Sequence, residues 1–191
     1  MHCRELGHDV TETNPAIDYR LAAHSFTILW AAGCAATIES ISRRSGRRVV
    51  ADDFEPLTWA LYEMGRRVSA SDYQLAIVEL NVMARSIANL FATCDVWLTP
   101  VLAEPAPLLG SFDAPLDDPL AAFRRAWAFA PITGICNFTG QPAMSVPLYW
   151  TAEGLPIGSH FAGRFGDEAT LFRLAGQLER CRPWAARRPP P

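Results

Sequence analysis

The chain has 191 residues, half of them hydrophobic, so it is long enough for a domain with a substantial core and too apolar for intrinsic disorder. Its formal net charge of -3 at pH 7 gives no electrostatic attraction to nucleic acid or to an anionic membrane, and we predict neither as a partner. All 17 basic residues are arginine, so the chain contains no lysine.

Five cysteines are spread along the chain, and no two of them have the spacing of a metal knuckle: Cys3, Cys34, Cys94, Cys136 and Cys181. An odd count without close pairs predicts free thiols, as expected in a reducing compartment. The N-terminus has no apolar signal region. We therefore predict a cytoplasmic protein, and no motif calls for a metal or a cofactor.

The first residues are expected to begin within a structural element. Residues 4–10 are typical of the last turn of a helix, which stops at Gly7 before a short strand through Val10 and Glu12. A helix normally has two or three more turns before such a glycine. These residues alone therefore indicate an incomplete start.

A long helix is predicted next, with Asp18 as its N-cap and an end at Gly46. Residues 21–38 carry no charge over 18 positions, which is the lower limit for a membrane span. Their alanine and glycine content favours a helix that is buried on all sides in a soluble domain. His24 is then expected to be a core histidine.

Two more helices precede the first clear strand. Asp52 or Asp53 is expected to cap one of them, with Pro56 in its first turn. Ser69 and Asp72 approximate a capping box for the other, in which apolar residues recur at helical spacing. The apolar run 96–98 then predicts a buried strand.

The second half of the chain begins with a loop. Residues 100–119 contain five prolines and predict a long surface loop, of the kind that borders binding clefts. A helix near 120–130 follows, and residues 143–148 and 157–162 predict a hairpin.

Asp167 is expected to cap the last helix, and residues 180–191 to form a flexible tail. The order of elements predicts an α/β architecture, with a partial mixed β-sheet flanked by helices, in a single domain over residues 1–191.

Three side chains are weighed as nucleophile or base. Ser145 lies inside a strand pattern and is expected to be structural, because no general base is placed beside it. A thiol nucleophile built from Cys136, Asn137 and His160 would need a distance that the sequence does not supply. Asn137 itself either bonds its own backbone in a loop over 129–141 or lines a substrate pocket.

The stretch 138–148, Phe-Thr-Gly-Gln-Pro-Ala-Met-Ser-Val-Pro-Leu, resembles the C-terminal part of the amidase signature family, whose members hydrolyse carboxamide bonds. Gly-Leu-Pro-Ile-Gly at 154–158 and Gly-Arg-Phe-Gly-Asp-Glu at 163–168 extend the resemblance into the last helix. Ser159 and His160 depart from the pattern, since the family tends to have valine and glutamine there. Asn137 would, by this resemblance, approach the substrate.

The resemblance implies a Ser–Ser–Lys triad that is carried by an N-terminal half outside this chain, and a lysine-free chain cannot supply it. No catalytic residue is therefore assigned. We expect the C-terminal portion of an amidase-family hydrolase, inactive by itself, that acts on a small-molecule amide when an N-terminal polypeptide completes it. The alternatives are a non-catalytic remnant or interaction module of amidase ancestry, and an unrelated hydrolase that uses Cys136 or Ser145.

Overall fold

The computed structural model describes residues 2–13 and 15–189, which form two compact units. The first unit comprises Met1–Ile17, Ala84–Ala106 and Ala130–Pro191, and the second comprises Asp18–Met83 and Pro107–Phe129. The helices of the described residues are α1 (His2–Glu5), α2 (Tyr19–Ser45), α3 (Pro56–Gly65), α4 (Ala70–Ala88), α5 (Leu120–Phe129), α6 (Gly134–Thr139) and α7 (Glu168–Cys181), and the strands are β1 (Val96–Pro100), β2 (Ala143–Trp150) and β3 (Pro156–Gly163). The α/β architecture with a partial sheet flanked by helices is confirmed.

The first unit is built on the sheet, in which β3 lies between β1 and β2. Both pairs are antiparallel, so the described residues contain no parallel pair of the predicted mixed sheet. Strands β2 and β3 form the predicted hairpin, because only a short turn around Gly154 separates them. The register shifts between Val146 and Tyr149, where the ladder is irregular.

One face of the sheet carries the core of the first unit. Val146, Leu148 and Phe161 are buried against Leu171 and Leu178 of α7. Helix α7 begins where the sequence predicts, because Asp167 Oδ1 accepts a hydrogen bond from Thr170 N at 3.3 Å. Its apolar residues recur every three or four positions and so face the sheet.

The C-terminal segment after α7 packs on this unit. Trp184 lies against the same apolar cluster, and the guanidinium of Arg187 stands 4.2 Å from the ring centroid of Trp150. A cation over an aromatic face is attracted by the ring quadrupole. The segment holds no helix or strand over 182–189, and its flexibility and the single-domain assignment stay predictions.

Two local predictions are wrong. Residues 8–13 form no strand, so Val10 and Glu12 add nothing to the sheet. Neither Asp52 nor Asp53 caps α3, since they lie in a 3-10 turn over Ala51–Asp53 and α3 starts later, at Pro56. A proline at the first helical position has no N–H to cap and its φ is already helical.

The second unit is organised by α2 and α3. Asp18 caps α2 by accepting from the backbone N of Arg20 and Leu21, both at 3.0 Å, and Gly46 ends the helix with a φ of 68°. These termini are as predicted. Ser25 is fully buried, and its hydroxyl donates to Glu79 on α4 at 2.5 Å.

Helix α2 is not buried on all sides in the described residues. Its buried positions are Ala22, Ser25, Ala31, Ala35 and Ile38, whereas Trp30 is 50% exposed and His24 is exposed, so the prediction of a core histidine is wrong. A helix of 27 residues presents more surface than its neighbours in this unit cover. By length and composition alone, Tyr19–Ser45 and Ala70–Ala92 are both apolar enough to cross a membrane, each with a mean hydropathy of 1.4.

Gly65 allows α2 and α3 to meet at very short distance. A Cβ at this position would lie 2.0 Å from the backbone oxygen of Ala31 and 2.8 Å from the Cβ of Ala35. The obstacle is helix backbone, which cannot rotate away as a side chain can. Gly33 on α2 differs, because a Cβ there would meet nothing within 4 Å.

We therefore expect Gly65→Ala to lower the free energy of unfolding by roughly 1–3 kcal/mol or more, because the added methyl group forces the two helices apart. Gly33→Ala is the matched control and should raise it by about 0.5–1 kcal/mol, since alanine restricts the unfolded chain and favours the helix. Chemical unfolding followed by circular dichroism measures both. Equal effects of the two substitutions would contradict the close approach at Gly65.

Candidate functional site

A row of polar side chains crosses the sheet of the first unit. Thr99 on β1 lies directly opposite His160 on β3, and His160 lies opposite Ser145 on β2. Directly opposed residues of antiparallel strands share one face of a sheet. The hairpin and β1 therefore place a hydroxyl on each side of one imidazole.

Helix α6 brings a thiol to this row. Residues 134–139 form the helix, so the prediction of a loop over 129–141 is wrong for that part. Gly140 ends it with a φ of 70°, and its backbone N donates to the carbonyl of Cys136 at 3.0 Å. The Cys136 Sγ then lies 3.9 Å from the Nε2 of His160.

His160 is held between two partners. Its Nδ1 lies 2.9 Å from the Oγ1 of Thr99, while its Nε2 faces the thiol of Cys136. The imidazole is 4% exposed, whereas Cys136 is only partly buried. Cys136, His160 and Thr99 thus have the order of nucleophile, base and orienting group, which defines the candidate site.

Burial sets the protonation states of this site. It raises the pKa of the Cys136 thiol and lowers the pKa of the His160 imidazole, because the charged form of each group is poorly solvated there. The resting pair at neutral pH is therefore a thiol and a neutral imidazole. In the tautomer in which the thiol donates toward Nε2, the remaining imidazole proton is on Nδ1 and is donated to Thr99.

Ser145 differs from its prediction in one respect. It is exposed, and a potential base, His160, does lie opposite it. Both ring nitrogens of His160 already have other partners, so the serine is not activated. Its hydroxyl packs against β3, where a Cβ at Gly158 would lie only 2.6 Å from Ser145 Oγ. Glycine at this position therefore makes room for the polar row.

Asn137 is exposed on α6, and its side chain makes no hydrogen bond to the residues that the structure describes. The interpretation in which it bonds its own backbone in a turn is therefore wrong. Its predicted role in substrate binding stays a prediction. The neighbouring Gln141 is buried and structural, since its Nε2 donates to the carbonyl of Gly163 at 3.2 Å.

Sequence reasoning did not identify Thr99 as a site residue. In the sequence it is the residue before Pro100, at the end of a predicted strand. Nothing in the local pattern marks it, because its role depends on pairing with His160, which is 61 positions away in the sequence. Within residues 2–13 and 15–189, no group of three or more His, Cys, Asp or Glu side chains could hold a metal ion.

Known proteins resemble this chain in sequence and in fold. The sequence model of the Amidase family matches residues 1–172. A putative amidase AmiC of Mycobacterium leprae is 34% identical over an alignment of 186 residues, which covers 95% of this chain and 38% of that protein. The 6-aminohexanoate-cyclic-dimer hydrolase of Paenarthrobacter ureafaciens is 27% identical over 191 residues, or 39% of its length.

A solved structure of 6-aminohexanoate cyclic dimer hydrolase superposes on 97% of this chain with a TM-score of 0.88 and 26% identity, and the match covers 40% of that structure. The chain thus spans about two fifths of the length of the relatives it matches. Because the family's sequence model extends over most of its residues, the chain belongs to the amidase family.

Proposed function

We propose that this chain is the C-terminal part of an amidase-type domain, which hydrolyses a carboxamide C–N bond to an acid and an amine when an N-terminal part completes it. One observation carries the proposal: the family's sequence model matches residues 1–172, yet the chain spans only 38% of a relative such as the Mycobacterium leprae protein. The chain has no lysine. The Ser–Ser–Lys triad that the family resemblance implies must then come from another polypeptide segment.

The described residues would contribute the support and one wall of the substrate pocket. Asn137 is the side chain we assign to substrate binding, because it is exposed and its amide group is not used by another described residue. A primary amide both donates and accepts hydrogen bonds, so it can pair with either end of a carboxamide. The proposed substrate is a small-molecule amide, and the proposed compartment is the cytoplasm, in keeping with five free thiols.

The second unit exposes apolar side chains on α4, which favours a partner that covers them. Leu75, Val78 and Val82 on α4 are each more than half exposed, and their spacing places them on one side of the helix. An apolar stripe of this kind on a domain surface marks an interaction site or an aggregation liability. We propose that the N-terminal polypeptide covers it.

The same stripe also favours a second candidate function, in which the chain is a non-catalytic interaction module of amidase ancestry. Both candidates need the stripe to be covered, and they differ in whether the covered complex hydrolyses amides. Activity of the complex therefore decides between them.

The chain alone should show no turnover of simple carboxamides, because it lacks the triad. Turnover should appear when the chain is combined with a polypeptide that is encoded next to it and carries a lysine and a Gly/Ser-rich Ser–Ser segment. The control is the same mixture with that lysine replaced by alanine, and ammonia release measures all three. Turnover by the isolated chain would contradict the proposal, and an inactive but stable complex would favour the interaction module.

The isolated chain should also self-associate, because the stripe on α4 is then uncovered. Light scattering coupled to size exclusion should report oligomers or aggregates, and Val78→Glu should shift the distribution toward monomer. Ala152→Glu is the matched control, since Ala152 is exposed in the turn between β2 and β3 and the substitution adds the same charge outside α4. A monodisperse monomer with a sharp thermal transition would contradict the uncovered stripe.

Asn137→Ala should raise the KM of the completed enzyme by roughly tenfold, which corresponds to the loss of one or two hydrogen bonds to the substrate, and should change kcat less. Asn81→Ala is the control, because Asn81 is also exposed but lies on α4. Steady-state kinetics of both variants checks this assignment. An unchanged KM for Asn137→Ala would remove Asn137 from the substrate pocket.

A further inference from the structure

The thiols of this chain differ in the group that each one faces. Four of the five cysteines are partly buried, and the sulfur atoms of three of these have a hydrogen-bond partner among the described residues. Cys34 Sγ donates to the carbonyl of Thr58 at 3.7 Å, and Cys94 Sγ donates to the carbonyl of Leu90 at 3.3 Å. A peptide carbonyl cannot take up the thiol proton near neutral pH. Cys136 alone of these three faces a base, the imidazole of His160.

We propose that Cys136 is a nucleophilic thiol with His160 as its general base, and that it forms covalent adducts with small, neutral α,β-unsaturated carboxamides. The distance of 3.9 Å between Sγ and Nε2 is within the reach of a thiol hydrogen bond. Thr99 is a positioning residue, because its hydroxyl lies 2.9 Å from Nδ1 and so keeps the lone pair of Nε2 directed at the thiol.

The addition is balanced without an oxidant or a reductant. The S–H proton passes to Nε2 of His160 as the sulfur forms a bond to the β-carbon of the unsaturated amide. The π electrons of the C=C bond move toward the α-carbon and the carbonyl oxygen. The α-carbon then takes a proton from the imidazolium or from water, which leaves a thioether on Cys136 and returns His160 to the neutral form.

The surroundings select the class of electrophile. Burial is the cause that shifts the pKa of both groups, and it disfavours a charged ligand as it disfavours a charged side chain. Because Cys136 is only partly exposed, a small reagent reaches it most easily. Asn137, the next residue of α6, is exposed and has an unused amide group, which can pair with the amide of the ligand.

This proposal needs no triad and no N-terminal polypeptide, so its failure and the failure of the amidase proposal are separate results. It also differs from the relay of the amidase family, because none of its three residues is a serine or a lysine. The relevant departure is His160, at a position where the family tends to have glutamine. Glutamine can hydrogen-bond to Thr99 but cannot accept a thiol proton.

Acrylamide is the probe, applied to the native 191-residue chain at neutral pH. Cleavage after arginine places the three thiols on different peptides, residues 21–43, 86–124 and 126–164, so mass spectrometry follows each adduct separately. The Cys136 adduct should form about tenfold faster or more than the adducts of Cys34 and Cys94, as expected for general-base assistance. The preference should disappear in denaturing urea. Equal rates at the three thiols of the native chain would overturn the proposal.

Variants separate the base from the packing around it. His160→Gln should slow the Cys136 reaction about tenfold or more and leave the rates of Cys34 and Cys94 unchanged. Thr99→Val should slow it severalfold, and Thr99→Ser should restore it, because serine keeps the hydroxyl. Ser145→Ala is the matched control, since Ser145 is opposite His160 without bonding to either ring nitrogen.

A variant that unfolds would reveal itself by faster reaction at Cys34 and Cys94. If His160→Gln unfolds, two measurements still test whether His160 is the base: the rates at Cys136 in Thr99→Val and Thr99→Ser, and the preference of acrylamide for Cys136 in the native chain. An unchanged rate at Cys136 in a folded His160→Gln variant would show that the imidazole is not the base and would overturn the proposal.

Discussion

The pairing of β3 with strands on both of its sides is the interaction on which the first unit depends. Because β3 is central, one of its faces carries Phe161 into the apolar core with α7, while the other carries His160 between Thr99 and Ser145. Alternation along a strand makes these two roles inseparable, since a slip of one residue would exchange them. The same register therefore builds the core and assembles the polar row.

The second unit depends on a different constraint, the close approach of two helices at Gly65. Backbone atoms of α2 occupy the space that any side chain at this position would need. The packing brings Ala35 and Ile38 of α2 against Tyr62 of α3, whose hydroxyl also donates to Glu39 at 2.8 Å. The stripe that α4 exposes at Leu75, Val78 and Val82 is the surface on which a covering partner is proposed.

Membership of the amidase family establishes the ancestry of both units, whereas the reaction of this chain is a proposal. The chain matches about two fifths of its relatives' length and has no lysine, so we propose that the Ser–Ser–Lys triad implied by the resemblance comes from another segment. The Cys136–His160–Thr99 site is independent of that requirement. It combines a partly exposed thiol with a buried neutral base, and both features come from the position of α6 beside the sheet.

Local signals in the sequence were sufficient for much of the architecture. Asp18 and Gly46 mark the ends of α2, Asp167 marks the start of α7, and the two apolar runs around Gly154 form a hairpin, because caps and turns act over a few residues. The same local reasoning failed at Val10 and at His24. Whether a segment pairs as a strand, or a helix face is buried, depends on elements that are distant in the chain.

The sequence by itself also determined that a Ser–Ser–Lys triad is impossible here, since no position holds a lysine. Only the tertiary structure decided that Cys136, His160 and Thr99 form one site. Thr99 and His160 are 61 positions apart, and Cys136 and His160 are 24 apart. Strand register and the placement of α6 bring these three side chains together. Neither can be predicted from the neighbouring residues in the sequence, because strands pair through backbone hydrogen bonds that are the same for every residue type.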